Sequence, residues 1–264
     1  MRLVKCLFCL VPILLASRGF SQEAPEPSPS IKKPLIYQIG QIVHISATGS
    51  RPLLQAIDAL QNKYGWIVDY EDPRYLPATN GATNPPSVPV RRHPNARNNG
   101  EAGFSVEFNG GPTPDSRPDE QTVLSLVVDA NNQSNSAGQF ELRKEKDGGF
   151  VVVGVAVRGP QGDSSSQQPI LDLLISLAAE RRTARETIAL ICQNVSQQSK
   201  IQVSASGVAN SHLGHETVAI GGAATPARTL LSRTLASMGG DLYWRLIYDS
   251  SEKTYQLSIS PLSQ

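Results

Sequence analysis

Two histidines and a carboxylate stand close together late in the chain, at His212, His215 and Glu216. Imidazole nitrogens and carboxylate oxygens are ligands that zinc accepts, so His212 and His215 are weak metal candidates. This spacing is common by chance, and no third distant ligand suggests itself. We therefore expect no resident metal and no cofactor.

Three carboxylates, Asp69, Glu71 and Asp72, follow a short strand pattern. Paired carboxylates can act as general acid and base, but acids at a strand end are more often solvated turn charges, and this is what we expect. No GxSxG, P-loop or HExxH pattern is present. Cys192 lies in an apolar helical stripe and is expected to pack in the core. The sequence predicts no catalytic residue and no enzyme.

The first 21 residues read as a secretory signal peptide, with Arg2 and Lys5 ahead of a short apolar stretch and small residues before Gln22. Without them the chain keeps 21 basic and 23 acidic side chains, a net charge of −2. That balance argues against nucleic-acid binding. Cys192 would remain as a single cysteine, so no intrachain disulfide can form. We expect export to the periplasm or beyond, with no membrane span in the mature chain.

Hydrophobic spacing predicts alternating helices and strands, and composition divides the chain. Residues 22–34 form a predicted flexible leader, and 159–169 a polar linker. Residues 72–103 are rich in proline and asparagine and predict a long exposed loop, which carries the basic pair Arg91 and Arg92. A capping-box pattern at Thr183 and Glu186 predicts a helix start. The regions 35–158 and 170–262 are then two candidate modules.

The two candidate modules share one order of elements: strand, helix, strand, loop, strand, helix, hairpin. Pro52 and Gly65 also match Pro226 and Gly239 at one offset without gaps. We expect a duplication that gives an α+β fold of two tandem βαββαββ modules. In each module two helices would pack on one face of a small mixed sheet.

Four segments of the sequence resemble a known domain family. They are ISATGSRPLLQAIDALQNKYGWIVDYED with FSVEFNG in the first module, and TARETIALICQNVSQQSKIQV with TVAIGGAATPARTLLSRTLASMGGDLYW in the second. Together they resemble the secretin and TonB short N-terminal domain. The resemblance implies two tandem copies of a periplasmic protein–protein interaction module. We expect no pore region and no receptor barrel to accompany them in this chain.

The expected function is an exported bacterial protein that binds other proteins as an accessory of an envelope secretion or transport assembly. Its partner would be an envelope protein, reached through a sheet edge, an aromatic patch or the basic pair, and homo-oligomers fit the same scheme. The interface candidates are Trp66, Tyr70, Arg91, Arg92, Tyr243, Trp244 and Tyr248, although core packing also explains most of the aromatic ones. The alternative is an exported enzyme or carbohydrate-binding protein that uses the 72–103 loop.

Overall fold

A computed structural model describes residues 35–75, 103–111, 113, 116–134, 136–145, 149–159, 162–208, 217–239 and 241–262. Within these ranges the chain forms four α-helices, fourteen strands and a short 3₁₀ turn. The expected α+β class is therefore confirmed. The predicted signal peptide, the leader, residues 76–102 of the predicted loop, and His212 and His215 lie outside the described residues.

The first half follows the predicted order of elements, with an additional strand at its start. Its bounds are β1 Ile36–Ile39, β2 Ile42–Thr48, α1 Pro52–Tyr64, β3 Val68–Glu71, β4 Gly103–Asn109, α2 Glu120–Gln133, β5 Gly138–Lys144 and β6 Phe150–Arg158.

The second half contains three strands that the sequence did not predict: β7 in the linker, β9 before α3 and β12 before the last helix. Its bounds are β7 Ser164–Ser166, a 3₁₀ turn Ile170–Asp172, β8 Leu174–Leu177, β9 Arg182–Thr183, α3 Ala184–Ser199, β10 Val203–Val208, β11 Thr217–Val218, β12 Gly222–Pro226, α4 Ala227–Ala236, β13 Leu242–Asp249 and β14 Thr254–Pro261.

Helix ends follow local chemistry. Pro52 opens α1, where its missing N–H is tolerated, and Gly65 closes the helix at φ +68°. Asp119 caps α2 by accepting a hydrogen bond from the Thr122 N–H at 2.8 Å. The predicted capping box of α3 is present, since the Thr183 and Glu186 side chains each accept from the other's backbone N–H.

The strand pairings of the first half recur in the second. In the first half β2 runs antiparallel to β4, β3 parallel to β6, and β5 antiparallel to β6. In the second half β8 runs antiparallel to β12, β10 parallel to β14, and β13 antiparallel to β14. Corresponding strands are therefore β3 and β10, β6 and β14, and β5 and β13.

These pairings correct one detail of the predicted repeat. The match of Pro52 with Pro226 and of Gly65 with Gly239 aligns α1 with α4. The strand order instead aligns α1 with α3, because each of them leads into the strand that pairs in parallel. The gapless match is wrong as a guide to counterpart helices.

One central sheet runs through both halves in the order β10–β14–β13–β3–β6–β5, and β7 adds to β6. Within residues 34–264, the described parts of the chain form a single compact unit. The predicted linker thus joins two parts of one sheet, and its Ser164–Ser166 segment is a strand within that sheet. The boundary between the halves lies inside the sheet, at the β3–β13 pair.

The two helix pairs cover opposite faces of the central sheet. Tyr70 and Arg245 are strand partners and so share one face, while Glu71 and Leu246 share the other. Tyr70 packs in the core beneath α1 and α2, whereas Leu246 packs in the core beneath α3 and α4. Each pair of helices therefore packs on its own face of the sheet, and the core beneath α3 and α4 also includes Val151 and Val153 of β6.

Within the described residues, no helix is long and apolar enough to cross a membrane.

The capping box gives a direct test of the fold. Replacing Thr183 by Ala removes the side-chain acceptor for the Glu186 N–H, and we expect the free energy of unfolding to fall by about 1 kcal/mol. Urea denaturation followed by circular dichroism measures this loss. Gln197→Ala on the exposed side of α3 is the control and should change stability by less than about 0.5 kcal/mol. Equal effects of the two substitutions would contradict the assigned helix start.

Candidate interaction surface: the junction between the halves

The parallel pair of β3 and β13 joins the two halves of the chain. Its register is short, with Tyr70 opposite Arg245 and Glu71 opposite Leu246. The Asp72 N–H continues the ladder by donating to the Leu246 carbonyl at 2.9 Å. A pair of this length offers few backbone bonds, so side chains must contribute to hold the halves together.

Two carboxylates lengthen the ladder, one at each end. An Asp69 oxygen accepts from the Trp244 N–H at 2.9 Å, and an Asp72 oxygen accepts from the Tyr248 N–H at 3.0 Å. Arg51 binds the same Asp72 oxygen at 2.7 Å and also donates to the Tyr248 carbonyl at 2.7 Å. The backbone groups of β13 beyond the short register are thus satisfied by side chains of the first half.

A buried ionic cluster lies on the face that α3 and α4 cover. Arg228, at the start of α4, binds Glu71 at 2.7 Å and Asp172 at 2.8 Å. Arg143 binds the other oxygen of Asp172 at 2.7 Å, and the Leu171 N–H donates to Glu71 at 3.3 Å. Glu71 is 0% exposed and Arg228 is 5% exposed, so their charges are compensated by each other rather than by water.

Arg245 connects the halves on the opposite face. Its guanidinium donates to the Val68 carbonyl and the Gln61 side chain, and it binds Asp58 at 3.1 Å. It also stacks on the Tyr243 ring at 4.5 Å. This single side chain therefore ties β13 to both β3 and α1.

Burial controls the protonation of the junction acids. It raises the pKa of Asp69 to about 7, although the Trp244 N–H and the Arg245 charge act in the other direction. Burial also raises the pKa of Glu71 against the opposing effect of Arg228, and that of Asp72 against the opposing effect of Arg51. The expectation of solvated turn charges is wrong, because the second half covers the end of β3, and Arg228 and Arg51 bind Glu71 and Asp72 there.

Four of the five predicted aromatic interface residues are buried. Trp66, Tyr70, Trp244 and Tyr248 are between 0% and 8% exposed, and Tyr243 is half-buried against Arg245. They form no exposed patch; three of them, Tyr70, Trp244 and Tyr248, belong to the internal junction. Arg91 and Arg92 lie outside the described residues. Cys192 is buried as predicted, and burial raises its pKa to about 12.

Sequence reasoning missed Arg51, Arg228 and Arg245. Two of them stand inside apolar patterns, since Arg228 follows Ala227 in the α4 stripe and Arg245 lies between Trp244 and Leu246. A cation in such a position needs a buried acid. The sequence feature that pointed to such acids was the group Asp69, Glu71 and Asp72 around the buried Tyr70.

Outside the junction, the described residues form an open groove but no cluster of metal ligands. An open groove between β1 and α1 is lined by Leu35, Ile36, Gln55, Asp58, Ala59, Asn62 and Lys63. Among the described residues no group of three or more His, Cys, Asp or Glu side chains could hold a metal ion.

Comparisons with known protein families, with curated proteins and with solved structures find no match for this chain. The arrangement at the β3–β13 junction is therefore the basis for a functional proposal.

The buried ion pair between Arg228 and Glu71 can be tested against an exposed pair of equal length. Arg228→Met leaves Glu71 without its main charge partner, and we expect a loss of about 3–5 kcal/mol in unfolding free energy. Arg182→Met is the control, because Arg182 binds the exposed Glu180 at 2.7 Å and its loss should cost less than about 1 kcal/mol. Adding Glu71→Gln should recover part of the Arg228→Met loss. Similar small losses for both arginines would contradict the assignment.

Asp69 should make stability depend on pH. Its pKa of about 7 lies above that of an unfolded aspartate, so between about pH 4 and 7 the folded state holds a proton that the unfolded state releases. Stability from this group is therefore greatest below pH 4 and is lost as pH rises through 7. Asp69→Asn keeps an acceptor for the Trp244 N–H and removes this effect. We expect the stability of the variant relative to wild type to grow from pH 4 to pH 8 in urea titrations; parallel pH profiles would contradict it.

Proposed function

We propose that the chain is an exported bacterial protein–protein interaction protein that serves an envelope secretion or transport assembly. Two tandem modules like the secretin and TonB short N-terminal domain would compose it, in the periplasm or outside the cell. Its partner would be an envelope protein, bound without a cofactor and without a reaction of its own.

The repeated pairing pattern supports the tandem-module part of this proposal. An antiparallel pair, a parallel pair and a closing hairpin occur in the same chain order in both halves. Each half also carries two helices over its own strands. A gene duplication would account for this recurrence, as the order of elements in the sequence suggests.

The β3–β13 junction is the observation that carries the binding function. One half recognises the other by a strand edge, and acids and arginines at the ends of the register give the contact its specificity. Addition of a strand to a sheet edge is a common mode of protein recognition. Within the described residues, β5 and β10 are the outer strands of the same sheet, so the same mode is open to a partner at either end.

The proposal can be tested by capture from an envelope extract of the source bacterium, with the tagged full chain as bait. We expect an envelope protein to be enriched and to recover the chain when it carries the tag itself. Ala205→Pro in β10 and Leu142→Pro in β5 each remove one outward N–H. We expect one of these two substitutions to reduce recovery at least tenfold, and Gln197→Ala to leave it unchanged.

Failure to recover any reciprocal partner, together with hydrolytic activity of the purified chain on a substrate panel, would overturn the proposal. Recovery that is equal for the wild type and both proline variants would remove the sheet edges from it.

A further inference from the structure

The two halves follow one another along the sheet in the same strand order but with reversed strand direction, since β5 runs antiparallel to β3 whereas its counterpart β13 runs parallel to β3. Reading across the sheet, β5–β6–β3 is followed by the counterpart strands in the same order, β13–β14–β10. The junction therefore joins unlike edges: the edge of β13, which corresponds to β5, and the edge of β3, which corresponds to β10. Contacts between unlike edges do not close by themselves, because each added unit presents a fresh copy of the first edge.

The outer edges of the chain are these same two edges. In the described residues β5 ends the sheet on one side and β10 ends it on the other, and neither has a further strand beside it. The parallel ladders of the two halves begin at Val68 opposite Phe150 and at Val203 opposite Tyr255. We therefore take Val68 and Val203 as counterparts, which makes Tyr70 the counterpart of Ala205. Pairing of Leu142 with Val152 and of Leu246 with Leu257 likewise makes Glu141 the counterpart of Arg245.

The backbone of both outer edges is partly occupied by side chains of its own half. The Asn132 amide accepts from the Phe140 N–H at 2.9 Å and donates to the Phe140 carbonyl at 2.7 Å. Ser196 accepts from the Val203 N–H at 2.8 Å. Asn132 thus does for Phe140 what Asp69 does for Trp244 at the internal junction. Such capping is one way in which proteins restrain strand addition at an edge.

The charged groups of the internal junction are not repeated at the outer edges. Ser204 stands in β10 where Asp69 stands in β3, and Glu141 stands in β5 where Arg245 stands in β13. The contacts that Asp69 and Arg245 make at the internal junction therefore have no counterpart at the outer edges. A contact between the outer edges should be weaker than the internal junction and reversible.

We propose that a second copy of this chain is a partner for these edges. The β5 strand of one copy lies parallel to β10 of the next, with Glu141 opposite Ala205, and Asn132 limits this head-to-tail association by holding the Phe140 backbone. The inference rests on the proposed role of the sheet edges in binding, and it names one occupant of them.

Sedimentation equilibrium of the purified full chain tests this pairing through complementation. Wild type should show an average mass that rises with concentration beyond that of a dimer. Leu142→Pro blocks β5 and Ala205→Pro blocks β10, because proline removes the outward N–H while an edge strand tolerates it. Each variant alone should remain monomeric, whereas an equimolar mixture should form dimers and nothing larger, since one free edge of each kind remains.

Asn132→Ala is expected to strengthen association about fivefold, because the incoming strand no longer competes with the amide for Phe140. Gln197→Ala is the matched control and should behave as wild type. Wild type that stays monomeric up to its solubility limit, a mixture that forms no dimer, or unchanged association in Asn132→Ala would each overturn the proposal.

Cysteine cross-linking keeps the test valid if a proline variant does not fold. A mixture of Glu141→Cys and Ala205→Cys chains should form a disulfide between these two positions under mild oxidation, as linked peptides in mass spectrometry would show. Glu141→Cys mixed with Gln197→Cys should not form one, and equal linkage in both mixtures would overturn the proposed register. These measurements use purified protein, so their failure leaves capture of an envelope partner as a separate result.

Discussion

The Asp72 carboxylate lies where the two halves of the sheet meet, and three groups bind it: the Tyr70 hydroxyl at 2.7 Å, Arg51 at 2.7 Å and the Tyr248 N–H at 3.0 Å. It is 1% exposed, so every one of these partners must come from protein. The second half supplies the Tyr248 N–H, and the first half supplies Arg51 and Tyr70. Neither half alone completes the set, and this makes the carboxylate dependent on their association.

The same dependence recurs along the junction. Glu71 relies on Arg228 from α4, the Trp244 N–H relies on Asp69, and the Arg245 guanidinium relies on groups of β3 and α1. Separating the halves would leave several buried charges and backbone groups without partners. The free-energy cost of these unpaired groups exceeds that of losing the few backbone hydrogen bonds between β3 and β13. Apolar packing supports the arrangement, since Val151 and Val153 of β6 join the core of the second half. The junction therefore joins the two halves of the described chain into one folded unit.

Local features of the structure were predictable because nearby residues determine them. Thr183 and Glu186 predict the start of α3, and Pro52 and Gly65 mark the two ends of α1. The apolar stripe that contains Cys192 predicts the burial of that side chain. The junction was not predictable in this way. Asp69 and Trp244 are 175 residues apart, and the partner of an acid at a strand end depends on which strand arrives beside it. Local patterns identify a strand and its buried face, but they do not state its neighbours in the sheet.

The central claim is that the junction couples both halves into one cooperative unit. The chain contains two tryptophans, Trp66 in the first half and Trp244 in the second, and both are buried. Fluorine NMR of the chain labelled with fluorotryptophan can therefore follow each half separately in a urea titration. Loss of both native signals at the same urea concentration, with the same steepness, is the result that the structure predicts. Two separate transitions, with one half folded while the other is unfolded, would contradict the claim.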